Sequence, residues 1–123
     1  MSPARPKTPA SSRAVRSARE LRRTAPLFAA LGDDLRLTLI SRLCTRGPQS
    51  TMRLSEGAGV TRQAVSKHLD VLAAAGVVRS ARLGKERVWE LDAAPLLAAR
   101  DWLEAISKDW DSALARLEAF VED

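Results

Sequence analysis

The chain has a single cysteine, Cys44, and a single histidine, His68, in 123 residues. One cysteine excludes an intrachain disulfide and fits a reducing compartment. One histidine and one thiol make neither a metal-ligand set nor a Cys–His or Ser–His–Asp constellation. No Gly-rich phosphate loop is present. No apolar run approaches the ~18 residues of a membrane span. Arg22-Arg23 precedes an apolar stretch of only a few residues, too short for an export signal. The chain therefore reads as a cytoplasmic protein with no membrane partner, no cofactor, no metal site and no enzymatic machinery.

What is present is charge, and it is unevenly spread. The formal net charge is +5, which favours an anionic partner without naming one. Residues 1–24 hold seven Arg or Lys against one Glu; residues 95–123 hold three against seven acids. Between residues 46 and 87 there are eight basic residues and three acidic ones. The length suits one domain, and 46% hydrophobic residues suffice for an ordinary core.

Residues 1–18 are rich in Pro, Ser, Ala and Arg with almost no large apolar residue. They read as a disordered basic tail, either merely solvated or attracting phosphates without specificity. The folded domain is then 19–123. Leu27, Phe28 and Leu31 stand at helical spacing in a helix expected over Glu20–Leu31. Pro26 marks either its ordered start or a kink. Asp33 or Asp34 caps a second helix with a buried stripe of Leu35, Leu39, Ile40 and Leu43, ended by Gly47-Pro48. Cys44 on this helix reads as a small buried residue. Thr51 is the expected cap of a short third helix, and Gly57 and Gly59 bracket a tight turn.

Thr61 then caps a fourth helix that runs to Gly76. Val65, Leu69 and Leu72 fall on one face, leaving Arg62, Gln63, Ser66, Lys67 and Asp70 elsewhere. Such a helix can enter a major groove by its N-terminus. Gln63 suits an adenine edge and Arg62 a guanine or a phosphate. Ser66 is a short donor or acceptor, and Lys67 supplies charge. His68 flanks the apolar stripe, where it either packs and hydrogen-bonds or contacts a phosphate. Two strand-like runs follow, Val77–Arg82 and Glu86–Leu91, joined by Leu83-Gly84-Lys85. Arg79, Arg82, Lys85 and Arg87 make this hairpin a basic wing, suited to a minor groove or to phosphates. Trp89, set among charged neighbours, is expected to face the core.

These segments resemble the ArsR-type winged helix-turn-helix regulators of bacteria. The resemblance rests on Leu31-Gly32-Asp33-Asp34-Leu35-Arg36-Leu37, on Ala64 to Leu72, and on Ala75-Gly76-Val77-Val78, and it covers about residues 25–95. It implies a fold of mainly α class with a small β-hairpin wing (α+β), in the order α-α-α-α-β-β-α. It also implies a homodimer that represses by covering a promoter. By position, Arg62, Gln63, Ser66, Lys67 and His68 match the family's DNA-facing stretch, and Thr61 at the helix cap is expected to join them in DNA binding. The family's metal-sensing ligands do not transfer: Met52-Arg53-Leu54 stands where a Cys-x-Cys pair is expected, and the last helix has no histidine.

That last helix, expected over about 95–121, opens with Asp92 and Pro95. Its apolar residues recur at 96, 99, 103, 106, 110, 113, 117 and 120, alternating steps of three and four. A helix this long outruns a domain of this size, so part of the seam is expected to meet a second copy. The expected dimer interface comprises Leu27, Phe28, Leu103, Ile106, Trp110, Leu114 and Leu117. The acids Asp101, Glu104, Asp109 and Asp111 read as a solvated face. The function expected is sequence-specific binding of double-stranded DNA at a palindromic operator. The alternative is a winged-helix protein-interaction module without DNA binding, against which Arg62, Gln63 and Lys67 argue.

Overall fold

The computed structural model describes residues 9–122. Eight elements follow one another: α1 (Pro9–Leu31), α2 (Asp34–Arg46), β1 (Gln49–Ser50), α3 (Thr51–Ser55), α4 (Arg62–Ala74), β2 (Val78–Leu83), β3 (Glu86–Leu91) and α5 (Ala94–Glu122). The expected fold class holds: a mainly helical protein with a small antiparallel sheet.

Helix α1 begins eleven residues before the expected Glu20. Residues 9–18 are therefore helical rather than a tail, and the remainder of the expected tail lies outside the described residues. The physical reason is composition. Ala10, Arg13, Ala14, Arg16, Ala18 and Arg19 are strong helix formers, and Pro9 occupies the first helical position, where no N–H is needed. Pro26 lies inside the helix. The cost of its missing donor is offset by the burial of Leu27 and Ala30, each 4% exposed, immediately after it. Leu27 is thus a core residue of its own subunit and is withdrawn from the expected dimer interface.

Short polar residues set the other boundaries. Asp33 caps α2, its Oδ2 accepting the Arg36 N–H at 3.1 Å. Gly47, at φ 77°, ends that helix in a conformation L side chains resist. The cap of α3 is Ser50 rather than Thr51, its Oγ accepting from the Arg53 N–H. Thr51 is freed for a longer-range contact with Trp89. Thr61 caps α4 as expected, accepting the Ala64 N–H at 3.0 Å. Helices α3 and α4 are joined by the Gly57–Gly59 turn, and Arg42 of α2 braces it by donating to the carbonyls of Leu54 and Glu56 at 2.7 and 2.9 Å.

Helix α4 buries Val65, Leu69 and Leu72 completely, against Leu39 and Leu54 among others in one core. Cys44 is exposed, contrary to expectation. It follows Leu43 by one residue, and a turn of ~100° carries its side chain out of the buried stripe.

The sheet has the order β1-β3-β2, antiparallel throughout. Strand β1 was not expected; its two residues pair Gln49 with Trp89 and Ser50 with Val88. It ties the middle of β3 to the start of α3. The β2–β3 ladder runs to Leu83↔Glu86, so the turn is Gly84-Lys85, with Gly84 at φ 64°. Trp89 is fully buried, as its alternation implies.

Helix α5 is 29 residues long, about 43 Å. In its first half it meets α1: Ala99 is buried, and Trp102 stacks obliquely on Phe28 with centroids 5.7 Å apart.

Candidate nucleic-acid interface

Burying Val65, Leu69 and Leu72 fixes the rotation of α4, which leaves Thr61, Arg62, Gln63 and Lys67 exposed and Ser66 half-buried. Beside them lies a cleft of about 390 Å³. Its walls are Ser50, Thr51 and Met52 from the start of α3, Arg62 and Ser66 from α4, and Arg82, Lys85, Glu86 and Arg87 from the wing. The structure thus brings five of the expected site residues around one opening. Gln63 and Lys67 stand on the same helix outside the cleft wall. Thr61 spends its hydroxyl on the helix cap.

The wing cations divide into two pairs. Arg79, at the base, donates to Glu90 at 2.8 Å and stands 3.9 Å from Asp92. The hydrogen bond to Glu90 raises its pKa further above the ordinary arginine value. Arg87 reaches Asp70 of α4 at 3.4 Å, donates to Ser80 Oγ at 3.0 Å, and lies over the Trp89 ring. Arg82 and Lys85, nearest the turn, form no ion pair among the described residues; the same holds for Arg62 and Lys67 on the helix. Four unneutralised cations therefore surround the cleft and its rim, an arrangement that attracts a polyanion.

His68 turns towards α2. Its Nδ1 lies 3.1 Å from Arg36 Nη1 and 3.8 Å from Asp33 Oδ2. Arg36 also donates to the Ala30 carbonyl, so this cluster ties α4 to the α1–α2 junction. Of the two roles open to His68 in the sequence, its Nδ1 takes the structural one. The Arg36 backbone N–H, and then the charges of Arg36 and His68, hold the Asp33 carboxyl below the usual carboxylate value. A lowered folded pKa contributes stability above the ordinary value, and that contribution is lost as pH falls through the folded one. Asp33→Ala is therefore expected to lower Tm at neutral pH, with the gap to the wild type closing below about pH 4. Melting curves over that range check it.

Sequence reasoning missed Met52, which is 47% exposed on the cleft wall. The signal was available: Leu54 takes the buried position of this short helix, which leaves Met52, two residues earlier, facing out. It also missed Arg36 and Arg42, whose partners lie in other elements.

The expected dimer residues are mostly uncovered. Phe28 is half-buried, while Leu103, Ile106, Trp110, Leu114 and Leu117 are 40–64% exposed. Among the described residues no three His, Cys, Asp or Glu side chains gather as a metal site, and no helix is long and apolar enough to cross a membrane.

Residues 31–81 match a family model described as a helix-turn-helix domain. An uncharacterized HTH-type transcriptional regulator of Bacillus subtilis, YuzN, is 39% identical over an alignment of 85 residues that covers 63% of this chain and 92% of that protein. The HTH-type transcriptional regulator Rv2034 of Mycobacterium tuberculosis is 38% identical over 95 residues, 77% of this chain and 85% of that one. Among solved structures, an ArsR-like transcriptional regulator from Rhodococcus sp. RHA1 superposes with a TM-score of 0.68 at 35% identity, covering 80% of this chain and 92% of that chain. The homodimeric winged helix-turn-helix DNA-binding domain of Mb0332 from Mycobacterium bovis shares the fold, with a TM-score of 0.59 at 23% identity over 76% of this chain and 85% of that one.

Proposed function

The chain belongs to the ArsR-type winged helix-turn-helix transcriptional regulators, and from that premise we propose that it is a cytoplasmic homodimeric repressor that covers a palindromic operator. The observation that carries this reading is the cleft. It places Arg62 and Ser66 of the recognition helix opposite Arg82 and Lys85 of the wing, so one protomer engages a major groove and the phosphates beside it together. Gln63 and Arg62 read base edges; Lys67, Arg82 and Lys85 hold the backbone. Helix α5 supplies the dimer seam through Leu103, Ile106, Trp110, Leu114 and Leu117, with Phe28 at its edge. A two-fold axis there sets two α4 helices into successive major grooves. Control does not run through the family's metal sites, because Met52-Arg53-Leu54 brings no thiolate pair.

Selection of binding sites from random duplexes tests this directly; enrichment of a palindrome is expected, and its absence defeats the reading. On the selected operator, Gln63→Ala should relax preference at one base-pair position of each half-site, by about 1–3 kcal/mol. Lys85→Ala should weaken binding to every sequence alike and reduce the slope of log K against log salt by about one. Unchanged preference in Gln63→Ala removes that residue from base reading.

A further inference from the structure

The two ion-paired arginines of the wing differ in what they join. Arg79 pairs within the hairpin, with Glu90 directly opposite it in the ladder. Arg87 leaves the hairpin and reaches Asp70 on the recognition helix, with Nη1 3.4 Å from Oδ1. The rest of the Arg87 side chain is held as well. Its Nε donates to Ser80 Oγ at 3.0 Å, and its guanidinium carbon stands 4.2 Å from the Trp89 ring centroid. Trp89 is fixed in turn, fully buried and donating to Thr51 Oγ1 at 2.9 Å.

Residues 79–87 are exposed throughout, so core packing does not place the wing tip. Arg87 also faces Arg82 across the ladder, a like-charge pairing that is unfavourable unless one member is neutralised. Asp70 neutralises it from the helix. An exposed pair of this kind contributes little to stability, and an aspartate one turn beyond Ser66 and Lys67 repels phosphate. Neither fold stability nor simple attraction to DNA accounts for Asp70; fixing the wing against the helix does.

We propose that Asp70 and Arg87 are positioning residues: their ion pair sets the distance between the wing tip and the recognition helix. Arg82 and Lys85 then meet the backbone at a fixed distance from the bases that Arg62 and Gln63 read. Arg87 acts through Asp70 and not as a phosphate contact. The inference rests on the DNA-binding reading above.

The test has two arms. In the free protein, ¹⁵N order parameters at residues 82–86 should fall in Asp70→Ala and in Arg87→Ala, while those of α4 stay at wild-type values. With the selected operator, Asp70→Ala should weaken binding about threefold to tenfold, although it removes a negative charge, and non-specific binding should hold or tighten. Arg87→Ala should lose the same operator affinity with an unchanged salt slope, and the double variant should be no weaker than Arg87→Ala alone. Tighter operator binding by Asp70→Ala overturns the proposal. So does a slope reduced by about one in Arg87→Ala, the mark of a lost phosphate contact. If the wild type binds no duplex, the DNA-binding reading falls, and the clamp is still decided by the first arm: unchanged order parameters refute it.

Discussion

Replacing Trp110 with aspartate is expected to give a folded monomer whose operator affinity has dropped by a factor on the order of 10²–10⁴. The argument begins with the length of α5. Of its 29 residues Ala99 alone is buried, and Trp102 reaches Phe28 of α1. Beyond Trp102 the helix carries Leu103, Ile106, Trp110, Leu114, Leu117 and Phe120, between 40% and 79% exposed. A stripe of that size on a monomer marks an interaction surface. The steps of three and four along it suit a second helix with the same seam.

The expected loss follows from linkage. When one protomer holds its half-site, the other searches at an effective concentration near millimolar. Without the dimer each half-site is bound alone. Trp110 is 64% exposed, so the substitution leaves the protomer core intact and circular dichroism should not change. Sedimentation equilibrium at micromolar concentration reads the assembly, and a fluorescence-anisotropy titration reads the operator. Ile106→Glu should behave alike. A wild-type monomer at micromolar concentration, or full operator affinity in Trp110→Asp, refutes the dimer.

How much of this was legible in the sequence differs from element to element, for physical reasons. The rotation of α4 was legible because Val65, Leu69 and Leu72 define a face with the helical period, and burial follows the period. Trp89 was legible because a large aromatic alternating with charged residues in a strand has one side on which to hide. Strand β1 was not, since two residues after Gly47-Pro48 carry no period at all; only pairing with Val88 and Trp89 makes them a strand. The α1 start was misread because arginine and serine suggested solvation, whereas alanine and arginine also favour helix. Cys44 was misplaced by one residue of rotation. Among the cations, charge was legible and availability was not. Arg79 and Arg87 look like Arg82 and Lys85 in sequence, and only the positions of Glu90, Asp92 and Asp70 in space separate structural from free groups. His68 likewise depended on Arg36, 32 residues away.

Trp89→Ala is expected to cost about 3–5 kcal/mol, a large part of the ~5–15 kcal/mol that holds a domain together, and to lower Tm by roughly 10–25 °C. Two separable effects add up here. The first is volume: Trp89 is the largest fully buried side chain, and β3 sits between β1 and β2, so the cavity opens where all three strands meet. The second is the buried hydrogen bond from its indole N–H to Thr51 Oγ1 at 2.9 Å. Thr51→Val leaves the indole donor buried without its acceptor, at about 1–3 kcal/mol. It also removes the Thr51 hydroxyl's own bond to the Arg87 carbonyl at 3.4 Å, so a second background is needed to isolate the indole bond. In a Trp89→Phe background the donor is already gone, so Thr51→Val should cost clearly less there than in the wild type. Urea titrations of the four proteins measure that difference. Equal costs in both backgrounds show that the hydrogen bond contributes nothing, and that Trp89 holds α3 to the wing by packing alone.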